Sequence, residues 1–120
     1  MQSYRELRVY QESYIQAMEI YRLTEKFPKT EQYGLTSQIR RAATSIPLNI
    51  AEGYGKLETG HEVLRFLSMA RGSSAEMEVL LSFSKDLGYL SENEYSEFIA
   101  RQEQVGKMLT GLIKSIRSKS

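Results

Sequence analysis

Apolar side chains recur at intervals of three and four residues along most of the chain, and no stretch alternates apolar and polar residues as a strand does. This period is that of an amphipathic α-helix. Glycine and proline residues divide the pattern into four segments with short connections. Consecutive helices joined by short connections pack as antiparallel neighbours. The sequence therefore predicts an all-α fold: an antiparallel up-and-down four-helix bundle, with residues 1–120 in a single domain.

The four predicted helices span about 6–26, 31–54, 60–87 and 92–117. Pro47 falls inside the second helix, where it removes a backbone hydrogen bond and clashes with the preceding turn, at a cost of about 3 kcal/mol. The apolar stripe keeps its phase across Pro47. We therefore predict one continuous helix that is kinked at this residue.

Cap and stop signals define the ends of these helices. Thr30 is the predicted N-cap of the second helix, and Gly53-Tyr54-Gly55 is interpreted as its exit. Thr59–Glu62 and Ser91–Glu94 both have the form of a capping box, which predicts the starts of the third and fourth helices. Gly88 is the predicted left-handed stop of the third helix.

The stripes also predict which residues form the core. In the first helix these are Leu7, Tyr10, Tyr14, Met18 and Tyr21. In the second helix they are Leu35, Ile39, Ala42, Ala43, Ile46 and Ile50. In the third helix they are Val63, Phe66, Leu67, Ala70, Met77, Leu80, Leu81 and Leu87. In the fourth helix they are Tyr95, Phe98, Val105, Leu109, Leu112 and Ile116.

The residue types needed for catalysis are scarce. The chain has no cysteine and a single histidine, His61, at the predicted start of the third helix. A cysteine nucleophile, a disulfide and a thiolate metal site are therefore excluded, and a histidine dyad or zinc site has no second histidine or cysteine. We expect a non-enzymatic protein without metal or cofactor. Because no apolar run has the length of a membrane span or signal peptide, we also expect a cytoplasmic location.

Basic residues cluster at two places although the net charge is only +1. Residues 104–120 contain four basic residues and no acid, and Lys114 and Arg117 are the candidates there for contact with nucleic acid. The simpler interpretation is that they complement the dipole at a helix C-terminus. Arg40 and Arg41 form the second cluster and are also candidates for contact with phosphate.

A polar stripe follows the second helix beside its apolar face. Its members are spaced four, four and three residues apart and so share one side of the helix: Arg41, Ser45, Asn49 and Glu52. We interpret them as a partly buried network that orients helices or a subunit contact. A ligand or nucleic-acid site is the alternative. Mid-helix Gly72 predicts close approach of another helix, from the same chain or from a second subunit.

Several of these segments together resemble the "four helix bundle protein" family, also known as the 23S rRNA intervening-sequence protein family. The resemblance begins at Phe27-Pro28 and continues downstream through Phe66-Leu67, Ala70–Ser73 and Leu87–Tyr89. Its most specific segments are Tyr33-Gly34-Leu35, Gln38–Ala43, Ser45-Ile46-Pro47 and Asn49–Gly53.

The resemblance implies a non-enzymatic four-helix bundle that assembles as a homopentamer. A related branch supplies the accessory protein of diversity-generating retroelements, which binds nucleic acid and partners a reverse transcriptase. The resemblance therefore implies RNA or DNA, and a larger protein such as a reverse transcriptase, as partners. Those accessory proteins are strongly basic, whereas this chain is nearly neutral. The alternative is a structural or protein-interaction scaffold that binds no nucleic acid.

Overall fold

Four α-helices account for most of the chain: α1 (Arg8–Leu23), α2 (Leu35–Lys56), α3 (Gly60–Asp86) and α4 (Glu92–Ser118). The computed structural model describes residues 3–56 and 60–119, without the side chains of residues 56, 60 and 61. Short 3-10 turns precede α1, follow it and precede α2, and no strand occurs in the described ranges. The helices pack α1 on α2, α2 on α3 and α3 on α4, and α1 meets α4 to close the bundle. The predicted all-α four-helix bundle is confirmed.

The core is aliphatic and runs the length of the bundle. Every predicted core residue of α2 is buried, as are all those of α3 except Leu87. Ile20, Ile39, Leu67 and Leu109 have no exposed surface at all. Each such side chain contributes about 1.5–3 kcal/mol through burial. The prediction for α4 identified the correct helix face, but it omitted Ile113, which is also fully buried.

The predicted core face of α1 is wrong. Tyr14, Met18 and Tyr21 are 52%, 46% and 43% exposed, while Leu7 and Tyr10 are only half-buried. The residues of α1 that face the core are Val9, Ser13, Gln16, Ala17 and Ile20. This face contains polar residues because each finds a partner: Ser13 Oγ donates to the Tyr10 carbonyl (3.1 Å) and Gln16 Nε2 donates to the Arg101 carbonyl (3.0 Å).

The start of α2 also differs from the prediction. Thr30 is not its N-cap, because Lys29–Glu31 forms a 3-10 turn and the α-helix begins only at Leu35. The Glu31 carboxylate instead accepts a hydrogen bond from the Leu35 backbone N–H (3.1 Å). It satisfies one of the free amide groups that a helix N-terminus leaves, which is the role assigned to Thr30.

The helix α2 is continuous through Pro47, as predicted, and extends past its predicted exit to Lys56. The kink at Pro47 stays a prediction. Gly53 is not a turn residue but a buried contact between helices, since an added Cβ would lie only 2.9 Å from the Phe66 Cβ. A glycine at this position lets α2 and α3 approach closely.

The connection from α3 to α4 confirms two of the predicted signals. Gly88 has a φ of +82°, and the Tyr89 N–H donates to the Ser84 carbonyl (2.8 Å), as in a Schellman motif. Ser91 and Glu94 form both hydrogen bonds of the capping box. Leu87, predicted to be buried, is 55% exposed because α3 ends one residue before it. The capping box predicted at Thr59 falls on a segment outside the described residues.

Candidate binding surfaces

Arg40 is held against α1 rather than presented to a ligand. Its Nε donates to Thr24 Oγ1 (2.8 Å) and its guanidinium also donates to the Tyr21 carbonyl (3.2 Å). The guanidinium carbon lies 4.6 Å from the centre of the Tyr21 ring, a cation–π distance. These three contacts tie the second helix to the C-terminal end of α1.

Arg41, the next residue, points away from the bundle. It is exposed, and its side chain forms no hydrogen bond or ion pair with any other residue that the structure describes. The two neighbouring arginines therefore have different environments, and the predicted Arg40–Arg41 phosphate site is not a single cluster of free cations.

The predicted polar stripe forms a network only in its middle. Asn49 Nδ2 donates to the carbonyl and to the Oγ of Ser45 (2.8 and 2.9 Å), and Ser73 Oγ of α3 donates to Ser45 Oγ (2.9 Å). The bond between Ser73 and Ser45 joins α2 to α3 at the middle of the stripe. The role predicted for the stripe as a whole stays a prediction. Arg41 and Glu52, at the two ends of the stripe, are exposed.

A groove of about 640 Å³ runs between α3 and α4 on the outside of the bundle. Its basic residues are Arg71, Lys107 and Lys114, none of which forms an ion pair within the described residues. Two acidic residues, Glu78 and Glu103, also line it. The remaining lining side chains are small: Ser74, Ala75, Gly106, Thr110 and Gly111. We call this surface the α3/α4 groove.

The α3/α4 groove contains one residue of the predicted nucleic-acid set directly, Lys114. Arg117 lies one helical turn further along α4 and continues the same side of that helix. Sequence reasoning missed Arg71, because it lies in a different helix and is brought near only by the antiparallel packing of α3 and α4. The spacing of Lys107 and Lys114 is the sequence signal that points to this groove, since seven residues are two helical turns.

A second groove lies between α1 and α2, and it is apolar. Its volume is about 340 Å³. Its walls include the exposed α1 residues Tyr14, Met18 and Tyr21, together with Leu48 of α2, which is 65% exposed. Small or compact residues form its floor: Ala17, Thr44, Pro47 and Ala51. We call it the α1/α2 groove.

A third surface is the outer side of α3. Met69, Val79 and Phe83 are 47%, 54% and 54% exposed. With Gly72 and Glu76 between them they are spaced three, four, three and four residues apart, so all five share one side of the helix. We call this set of residues the α3 stripe.

Metal sites require a group of titratable side chains that lie close together. No three histidine, cysteine, aspartate or glutamate residues among them are grouped to hold a metal ion. Burial raises the pKa of the Tyr54 phenol, which favours its neutral form. The side chain of His61 lies outside what the structure describes. None of the helices, over the residues searched, has a segment apolar and long enough to cross a bilayer.

The described residues form a small four-helix bundle with two external grooves and one exposed apolar helix side. The family model of the 23S rRNA-intervening sequence protein matches residues 5–111, and the chain belongs to this family. A solved structure of a protein of unknown function, from the S23 ribosomal protein family of Bacteroides thetaiotaomicron, superposes with a TM-score of 0.80 at 22% identity. The match covers 88% of this chain and 95% of that one, and it supports the fold. A comparison with curated proteins gave no match.

Proposed function

We propose that the protein is a non-enzymatic, homo-oligomeric module that binds RNA or DNA through the α3/α4 groove. The observation that carries the proposal is the set of three basic side chains, Arg71, Lys107 and Lys114, that line one groove without an ion-pair partner among the described residues. A cation that is already paired gains little from phosphate, whereas an unpaired one gains the full interaction and releases condensed counterions.

The form of the groove suits a nucleic-acid backbone. Lys107 and Lys114 lie about 10 Å apart along α4, and Arg71 faces them from α3. Because Gly106 and Gly111 have no side chain, a nucleic-acid strand can come close to the backbone of α4. Glu78 and Glu103 repel phosphate and limit the affinity of one copy, whereas an oligomer repeats the groove and increases avidity.

The remaining partners of the proposal come from the family resemblance. On the basis of that resemblance, the proposal includes assembly as a homopentamer. It also includes binding to a larger protein, such as a reverse transcriptase. The proposal assigns phosphate contact to Arg71, Lys107, Lys114 and Arg117, and it gives Arg40 a structural role because Thr24 and Tyr21 already occupy its donors.

Fluorescence anisotropy with labelled single-stranded RNA and duplex DNA, between about 50 and 300 mM salt, tests the proposal. The informative variant is Arg71→Ala with Lys107→Ala and Lys114→Ala. We expect it to bind about 10- to 100-fold more weakly at low salt, with a slope of log affinity against log salt that is smaller by about two to three.

The matched control removes the same amount of charge elsewhere. Arg8, Arg22 and Lys29 are exposed and form no ion pair within the described residues. Their simultaneous replacement by alanine should leave the salt slope within about one unit of the wild type. Absence of wild-type binding at ~50 mM salt, or equal losses in the two triple variants, would contradict the proposal.

A scaffold that binds protein and no nucleic acid is the second candidate. Two observations favour it: the acidic Glu78 and Glu103 in the α3/α4 groove, and the large apolar side chains exposed in the α1/α2 groove and the α3 stripe. The same titration separates the two candidates, because the scaffold predicts no change in anisotropy with either nucleic acid at any salt concentration.

A further inference from the structure

We propose that copies of this chain assemble head to tail, with the α3 stripe of one copy seated in the α1/α2 groove of the next. In this contact Phe83 enters the groove beside Leu48, and Glu76 faces Arg41. The inference rests on the homo-oligomeric part of the proposed function and identifies the surfaces that form the assembly.

Large apolar side chains are exposed to solvent on both surfaces. Four large residues of the α1/α2 groove are between 43% and 65% exposed, and three of the α3 stripe are between 47% and 54% exposed. Large exposed apolar patches mark interaction sites, and Val79 and Phe83 lie one turn apart on the same side of α3. The two surfaces lie on different helix pairs of a packed bundle, so they cannot cover one another within a single chain.

The two surfaces are complementary in shape. The α1/α2 groove is concave, with a low floor at Ala17, Pro47 and Ala51 and walls of tyrosine, methionine and leucine. The α3 stripe is a row of large side chains along one outer side of α3, interrupted by Gly72 and Glu76. A ridge of one helix that fits into the groove between two others is the usual geometry of helix packing.

No close neighbour among the described residues explains the glycine at position 72 of the α3 stripe. A Cβ added there would meet nothing within 4 Å, yet glycine in a helix interior costs up to about 1 kcal/mol relative to alanine. The sequence predicted close approach of another helix at this position. No described part of this chain supplies that helix, so a second copy is the remaining source.

Charge complementarity fixes the register. Neither the Arg41 nor the Glu76 side chain forms a hydrogen bond or an ion pair within the described residues. The α1/α2 groove continues past Tyr21 and Thr44 into a depression that Arg41 lines. Arg41 precedes Leu48 by seven residues, and Glu76 precedes Phe83 by seven. With α2 and the incoming α3 parallel, one register aligns both pairs over about 10 Å.

The contact uses a different surface on each partner, so every copy offers one groove and one stripe. Such a heterologous contact builds a closed ring when its rotation closes, and a filament when it does not. A homopentamer is one such ring. The α3/α4 groove takes no part in this contact.

The solution mass by light scattering, measured for single variants and for their mixture, tests this assembly. Leu48→Glu disables the groove and Phe83→Glu disables the stripe, and each should be monomeric where the wild type is an oligomer. Ile15→Glu is the control, because Ile15 is 49% exposed on α1 but does not line the α1/α2 groove. We expect it to keep the wild-type mass. An equal mixture of the two disabled variants should form a dimer and nothing larger, because one intact groove meets one intact stripe.

A charge exchange tests the register independently of the apolar variants. Arg41→Glu and Glu76→Arg should each weaken assembly by about tenfold or more, and the double variant should recover most of the loss. Circular dichroism confirms the fold of every variant, and if an apolar variant loses helicity the charge exchange decides the matter.

Each failure has a separate meaning. A monomeric wild-type protein would overturn the proposed oligomer itself, whereas nucleic-acid binding by that monomer would leave the other part of the proposed function standing. An oligomer that persists in Leu48→Glu or Phe83→Glu would overturn this interface alone. Monomeric variants that form no dimer when mixed would show that the contact is not head to tail.

Discussion

The α1/α2 side and the α3/α4 side of the bundle use their polar residues in opposite ways. On the α1/α2 side, Arg40 donates hydrogen bonds to Thr24 and Tyr21 at the end of α1, and the α1/α2 groove is lined mainly by apolar side chains. On the α3/α4 side the contact between helices is a buried neutral pair, Gln102 with Ser74, and the cations remain outside.

The comparison indicates that the chemistry of a bundle's surface is independent of the composition of its core. Both sides rest on the same aliphatic core, yet one leaves apolar surface and the other leaves unpaired charge. Under the two proposals the grooves engage different partners: the α1/α2 groove takes the α3 stripe of a second copy, and the α3/α4 groove takes nucleic acid. One small chain can then bind both at once.

The largest expected loss of stability follows from a substitution in the buried contact between α3 and α4. Gln102 and Ser74 are each 1% exposed, and Gln102 Nε2 donates to Ser74 Oγ (2.7 Å). Gln102→Ala leaves both a cavity and a buried hydroxyl without its donor, and should lower the free energy of unfolding by about 2–4 kcal/mol. Urea denaturation measures it, with the exposed Gln104→Ala as a control that should stay within about 0.5 kcal/mol.

A double variant identifies the cause of that loss. Gln102→Met with Ser74→Ala keeps the volume and removes both polar groups, so it should be closer to the wild type than Gln102→Ala alone. A Gln102→Ala variant as stable as the wild type would mean that the α3/α4 side has no buried polar contact of consequence, and the contrast with the α1/α2 side would disappear.

Arg40 provides the corresponding experiment on the α1/α2 side. Arg40→Ala removes two charge-assisted hydrogen bonds and a cation–π contact at a half-buried site, and should cost about 2 kcal/mol of unfolding free energy. Arg41→Ala, one residue away and without these contacts, should change the stability of the monomer by less than about 0.5 kcal/mol. Thermal and urea unfolding of the two variants in parallel, at a concentration where the protein is monomeric, measure the difference. Equal effects would show that the contacts of Arg40 do not stabilise the fold.

The sequence predicted the helices and most of the core because apolar period and cap chemistry are local signals. The Ser91–Glu94 capping box and the Gly88 stop act within one turn of the chain, and both are confirmed. The predicted core face of α1 was wrong because its regularly spaced large side chains, Tyr14, Met18 and Tyr21, lie on an exposed side of the helix. A period identifies an apolar face, but it does not distinguish a face that meets the core from one that meets another molecule.

The binding surfaces were predictable only in part, for a related reason. Lys114 and Arg117 were identified from charge along one helix, but Arg71 joins Lys114 only through the packing of α3 on α4. Arg40 and Arg41 looked equivalent as neighbours in sequence. They differ because adjacent residues on a helix point about 100° apart, which turns one toward α1 and the other away from it.

The smallest predicted change in stability concerns the contact between the end of α1 and the start of α4. This contact joins the α1/α2 side to the α3/α4 side. Lys26 Nζ contacts both oxygens of Glu94 (2.5 and 2.6 Å). The hydrogen bond from Lys26 is the main cause that lowers the pKa of Glu94 below its ordinary value of 4.5, and the Ser91 backbone N–H adds to it. A carboxyl with a lowered folded-state pKa stabilises the fold above its unfolded pKa, and this contribution is lost as the pH falls through the folded value.

The pair is largely exposed, so water screens it and its contribution should stay below about 1 kcal/mol. Unfolding free energies from pH 7 down to pH 3 should therefore fall less steeply for Lys26→Met than for the wild type. Lys29→Met, at an exposed lysine without an ion pair in the described residues, should keep the wild-type profile. Identical pH profiles for the wild type and Lys26→Met would mean that the Lys26–Glu94 pair plays no part in joining the two sides, and that packing, the Gln16–Arg101 hydrogen bond and the Arg101–Glu19 ion pair hold this edge.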